Sequence, residues 1–179
     1  LIYNKATGNE AEYISFMDKD EKEPKPLYFI DEDEEERIDW ISKRILEIYK
    51  AYGNSIPSIA IFLSGEEKIE SFANKLGEMD RLADVDIKVK ASNNGRILGD
   101  ANTVRVFSIH HIKGLEFEAV FFHNINEVFN ATNKELVLKN LYVGLSRASF
   151  YLGVTSAQKS EELSFLDEVF ETDILNWHI

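Results

Sequence analysis

Short segments that are apolar along nearly their whole length punctuate this chain, and amphipathic segments separate several of them. A strand that is apolar on both faces must be covered on both faces. This alternation therefore constrains the fold to an α/β class, with a mainly parallel sheet between helical layers. The expected strands are Leu27–Ile30, Ser58–Leu63, Val85–Ala91, Thr103–Ile109, Ala119–Asn124 and Phe150–Thr155. Ile38, Ile41, Ile45, Ile48 and Tyr52 recur at helical spacing, which predicts a helix of about five turns. Gly53 and Asn54 then supply its stop. Ser64 with Glu67, and Thr132 with Glu135, form capping-box patterns that predict helices to about Met79 and Ala148. Asn93–Gly95 reads as a turn, and Glu161–Phe170 as a final amphipathic helix.

A chain of 179 residues, 44% apolar and 29% charged, has the size and composition of one globular domain. The polar residues 1–26, ending in E-P-K-P, read as an extended lead-in; 27–156 form the α/β body and 157–179 a helical tail. The absence of cysteine excludes disulfides and thiolate metal sites. No signal peptide and no bilayer-length apolar run is present, so a cytoplasmic protein is expected. The chain opens on Leu1 and its methionines are Met17 and Met79, as in an excerpt from a longer protein. A net charge of −12 opposes stand-alone nucleic-acid binding, because Lys and Arg supply most of the affinity for phosphates.

Ligands of such sheets sit beyond the carboxyl ends of the strands, where the segment His110–Glu116 and the loop before Thr132 are expected. L-Y-F-I-D-E (Leu27–Glu32) looks like a strand ending in Mg²⁺-binding acids. That role requires a phosphate loop of the form G-x-x-x-x-G-K, then Ser or Thr, and none occurs. The acids from Asp31 to Glu36 instead complement the dipole of the helix they enter. His110 and His111 are strand neighbours pointing to opposite faces, poorly placed to chelate one metal ion. In S-I-H-H-I-K-G-L-E-F (Ser108–Phe117), Gly114 after Lys113 permits a tight turn, and Glu116 lies between apolar Leu115 and Phe117. A carboxylate there suits a ribose hydroxyl, although spacing alone favours a plain strand–turn–strand connection with a solvated glutamate. In L-Y-V-G-L-S-R-A (Leu141–Ala148), Leu141, Leu145 and Ala148 share one side of a helix, Gly144 allows close approach, and Arg147 lies near the end. Taken alone, Arg147 reads as a surface arginine.

Together, in this order and spacing, the two stretches resemble motifs V and VI of superfamily 1 DNA helicases of the UvrD/Rep/PcrA type. The resemblance covers about residues 27–156 and implies the C-terminal RecA-like motor domain (2A), a three-layer αβα fold. It implies that Arg147 is an arginine finger, reaching the ATP γ-phosphate from across an inter-domain cleft. It implies that Glu116 contacts the nucleotide ribose, that Lys113 and Gly114 line the same turn, and that His110 and Ser108 touch single-stranded DNA. ATP and Mg²⁺ would be held mainly by an N-terminal RecA-like domain of the parent chain, so the isolated domain would not hydrolyse ATP. Several family features are absent: the phosphate loop, the motif IV arginine, the large 2B insertion, and the strand-binding Arg and Asn, whose place S-G-E-E (Ser64–Glu67) takes. Those departures, with the acidic charge, leave a motor-dead adaptor domain as the alternative.

Overall fold

The computed structural model describes residues 24–92, 101–111, 115–128, 142, 144–159, 161–166, 170 and 176–177. Its elements in chain order are β1 (Leu27–Ile30), α1 (Glu34–Ala51), β2 (Ile59–Leu63), α2 (Ile69–Gly77), α3 (Asp80–Ala83), β3 (Lys88–Ala91), β4 (Thr103–Ser108), β5 (Phe117–Phe122), α4 (Ile125–Val128) and β6 (Ala148–Ser156). The strands form one six-stranded sheet in the order β1-β6-β5-β2-β4-β3, with every pairing parallel. The fold is α/β, as the apolar strands imply, and RecA-like, as the motif resemblance implies.

Each face of the sheet has its own core. On one, Ile38, Ile41, Ile45 and Ile48 of α1 and Phe72 and Leu76 of α2 pack with Ile61, Leu63, Val106 and Phe121. On the other, Phe62, Phe107, Phe117, Val120 and Phe122 pack with Ile125, Leu145 and Leu166. Each such side chain, fully buried, contributes about 1.5–3 kcal/mol by leaving water.

Local chemistry sets the helix ends. Asp33 caps α1, accepting the Glu35 N–H at 2.8 Å, and Glu34, Glu35 and Glu36 occupy its first turn. Gly53 (φ 66°) and Asn54 (φ 67°) stop it in the left-handed region. The Ser64–Glu67 pattern does not act as a cap. Glu66–Lys68 forms a 3₁₀ turn, α2 starts only at Ile69, and the Ser64 hydroxyl donates to Glu127 Oε2 at 3.0 Å instead.

Other boundaries shift as well. β3 is shorter than its apolar run because Val85, Asp86 and Ile87 still turn back on α3, their N–H groups bonding the Leu82, Ala83 and Leu82 carbonyls. β5 begins at Phe117, and a register irregularity between Phe117 and Ala119 turns Phe117 to the same face as Val120 and Phe122. Ala148 opens β6 instead of closing a helix, and Glu161–Leu166 is a 3₁₀ helix. The expected Asn93–Gly95 turn and the helix start at Thr132 lie outside the described residues. Trp177 packs into the first core and donates its Nε1–H to the Lys25 carbonyl at 2.9 Å, joining the tail to the lead-in of β1. Among the described residues, no helix is long and apolar enough to cross a membrane.

Candidate functional site

The sheet brings two of the expected site residues together at its amino edge. β5 and β6 are parallel neighbours with Phe117 opposite Ala148, so the residues preceding them, Glu116 and Arg147, are neighbours too. The Phe117 N–H donates to the Arg147 carbonyl at 2.9 Å. Glu116 is exposed and Arg147 half-buried. Arg147 follows a helical end closed by Ser146 N–H to the Tyr142 carbonyl (3.0 Å) and Arg147 N–H to the Gly144 carbonyl (3.2 Å). Gly144 lets that end settle close on the sheet: a Cβ there would stand 3.3 Å from the Phe122 ring and 3.7 Å from Ile109.

Ser108 and His110 lie at the opposite, carboxyl edge. Ser108 is fully buried at the end of β4 beside Leu63, and its Oγ accepts the His110 N–H at 3.3 Å. It thereby orders the turn that presents the exposed His110. Not all of His110–Glu116 therefore sits beyond the carboxyl ends. β5 runs parallel to β4 with β2 between them, so the connection 109–116 must return to the amino edge before β5 can start. Ile109 and Leu115, near its two ends, pack with the Phe62–Phe107 cluster. Lys113 and Gly114 lie outside the described residues.

A cleft of about 340 Å³ opens at the carboxyl ends of β2 and β5, lined by Glu34, Leu63, Glu67, Lys68, Ser71, Phe72, Lys75, His123, Asn124 and Glu127. Two ion pairs cross it, Lys75 to Glu34 at 2.5 Å and Lys68 to Glu127 at 2.8 Å. His123 is 1% exposed, with its ring 4.6 Å from that of Phe72. Its Nδ1 meets Thr155 Oγ1 at 3.0 Å. Its Nε2 lies 4.0 Å from Glu34 Oε1, beyond hydrogen-bond reach, and has no partner among the described residues. The His123 imidazole and the Lys75 ammonium favour ionised Glu34 and hold its carboxyl at about 2. Burial pushes His123 below the ordinary histidine range, against the pull of Glu34. Asn124, at φ 54°, accepts Arg37 Nε–H at 2.8 Å and donates its own N–H to Thr155 Oγ1 at 3.2 Å. Buried Arg37 also donates to the Asp31 carbonyl, tying the acidic entry of α1 to the loop after β5.

Residues 103–155, from β4 to β6, match the family model described as the UvrD-like helicase C-terminal domain. That span holds Ser108, His110, Glu116 and Arg147. The chain is similar to UvrD-type helicase C-terminal domains. A solved structure described as the C-terminal domain of a "possible DNA helicase" from Lactobacillus plantarum WCFS1 superposes with a TM-score of 0.60 at 21% identity, covering 84% of this chain and 83% of that one. At that identity the likeness speaks for the fold alone. No curated protein matches the chain.

Sequence reasoning reaches the two motif stretches within the matched span but misses the cleft. Glu34 reads as a dipole-complementing acid and His123 as the tail of a strand; only the sheet order brings them together. A buried histidine at a strand's carboxyl end is the one local signal that could have drawn attention to it.

Proposed function

We propose that this helicase-related domain is the C-terminal motor domain of an ATP-dependent superfamily 1 DNA helicase or translocase. In this reading Arg147 is the arginine finger of an ATP site shared with an N-terminal RecA-like domain, which holds most of the ATP and its Mg²⁺. A guanidinium meets the negative charge that builds on the transferring phosphoryl group. Glu116 accepts from the ribose hydroxyls, and Lys113 and Gly114 serve the same nucleotide. His110 contacts single-stranded DNA, and Ser108 acts by holding the His110 turn. The setting is cytoplasmic.

The observation that carries this reading is the 2.9 Å bond between Phe117 N–H and the Arg147 carbonyl, which makes neighbours of Arg147 and Glu116 from separate motifs. The connection 109–116 adds a means of coupling. It joins His110 at the carboxyl edge to Glu116 at the amino edge, so a shift at the nucleotide is transmitted toward the strand.

Arg147→Ala in the parent protein tests the assignment. DNA-stimulated ATP hydrolysis should fall about 10³- to 10⁵-fold while single-stranded DNA is still bound. Near-normal turnover would remove Arg147 from the site. Undiminished strand translocation by the same variant would end the motor reading altogether.

A further inference from the structure

We propose that the cleft at the carboxyl ends of β2 and β5 binds a neutral, sugar-bearing small molecule, one hydroxyl of which bridges His123 Nε2 and Glu34 Oε1.

Hydrogen-bond accounting defines what the cleft requires. Thr155 is fully buried, and its Oγ1 already accepts the Asn124 N–H. Among the described residues its own proton has one acceptor, His123 Nδ1. The imidazole therefore carries its proton on Nε2. That N–H is buried and directed at the Glu34 carboxylate across 4.0 Å, too far to donate directly. An oxygen about 2.8–3.0 Å from each atom would bridge that separation. It must accept from Nε2–H and donate to Glu34, which is the double role of an alcohol hydroxyl. Glu34 stays ionised and His123 neutral near pH 7, so both partners hold the protonation state this requires.

Charge and size narrow the class. Lys75 and Lys68 are each engaged by a carboxylate, and Glu67 adds a further negative charge to the wall. A phosphate or carboxylate would gain no free cation there, so the ligand is neutral. A volume of about 340 Å³ lies at the low end of the roughly 300–1,000 Å³ usual for small-molecule sites, suiting a monosaccharide or nucleoside. The Phe72 ring, 4% exposed and 4.6 Å from the His123 ring, turns only an edge toward the cleft, within contact range of a bound sugar. The frame is built in advance, because Arg37 and Thr155 fix Asn124, and Thr155 fixes the imidazole. The site is separate from Glu116 and Arg147, and the inference does not depend on the motor role.

Long-range ¹H–¹⁵N spectra of the histidine rings in the 179-residue chain provide the test, with D-ribose and adenosine as probes. Without probe, His123 should show the Nε2–H tautomer. Ribose, adenosine or both should then shift its Nε2 saturably in the millimolar range, with contacts from the Phe72 ring to sugar protons. A response to both probes, or to ribose alone, identifies the sugar as the recognised group; a response to adenosine alone identifies a nucleoside. Glu34→Ala should weaken the binding at least tenfold, and Arg147→Ala should leave it unchanged. An Nδ1–H tautomer would overturn the proposal. So would a His123 signal indifferent to both probes, because water then serves as the bridge. The ring contacts from Phe72 decide the matter even where the Glu34 variant folds poorly.

Discussion

Burying a neutral imidazole makes His123 a point of acid sensitivity. The unfolded chain takes up this proton near the ordinary value of 6.5, while the folded protein resists it to lower pH. Stability should therefore fall as pH drops below about 6.5. Glu34 acts over a lower window: held at about 2 against its ordinary 4.5, it contributes stability that is fully present above 4.5 and lost as pH falls toward 2. Urea midpoints measured across this range should show His123→Gln flattening the upper limb, and Glu34→Gln flattening the lower one while leaving the upper limb in place or steeper, because Glu34 favours the protonated imidazole. Gly153 offers a test of packing at the same scale. A Cβ there would meet the Phe121 ring at 2.7 Å and Trp40 at 3.2 Å, so neither ring can keep its place. Gly153→Ala should cost about 1–3 kcal/mol, read as a lowered thermal midpoint.

At the level of elements, caps separate what a local pattern specifies from what tertiary partners decide. Asp33→Ala removes the bond to the Glu35 N–H and should cost about 1 kcal/mol in urea unfolding, because that N–H loses its side-chain acceptor. Ser64→Ala should cause no comparable fraying of α2, since the Ser64 hydroxyl is spent on Glu127 and the helix starts beyond it. In the sequence, Ser64 with Glu67 makes a capping-box pattern, whereas Asp33 is simply one of a run of acids. Only the fold reveals that Glu127, from α4, competes for Ser64. The strands were legible because a parallel strand covered on both faces is apolar throughout, as β2 is with all five residues buried. Their ends were less legible where burial changes sides: the irregularity after Phe117 lets β5 begin before its uninterrupted apolar run. Glu116 and Arg147 were visible as motif residues, but their placement at the amino edge depends on β5 and β6 being neighbours, which spacing does not encode. The cleft was invisible for the same reason, its two key side chains coming from α1 and from the end of β5.

Across the whole molecule, the parallel sheet sets Arg147 and Glu116 at its amino edge and His110 and the cleft at its carboxyl edge. The stability of this platform extends beyond the strands, because Trp177 packs on Tyr151 (ring centroids 4.8 Å) and Phe121 (6.1 Å). Trp177→Ala should lower the unfolding free energy by about 3 kcal/mol, measured by urea titration, through the emptied space and the lost bond to Lys25. That bond has a topological consequence. Since the segment leading into the first strand touches the segment beyond the last, and β1 lies beside β6, a short flexible bridge could splice residue 177 to residue 25. The polypeptide could then be reopened at the exposed Gly53–Asn54 bend, giving a reordered gene whose product keeps every strand where it was.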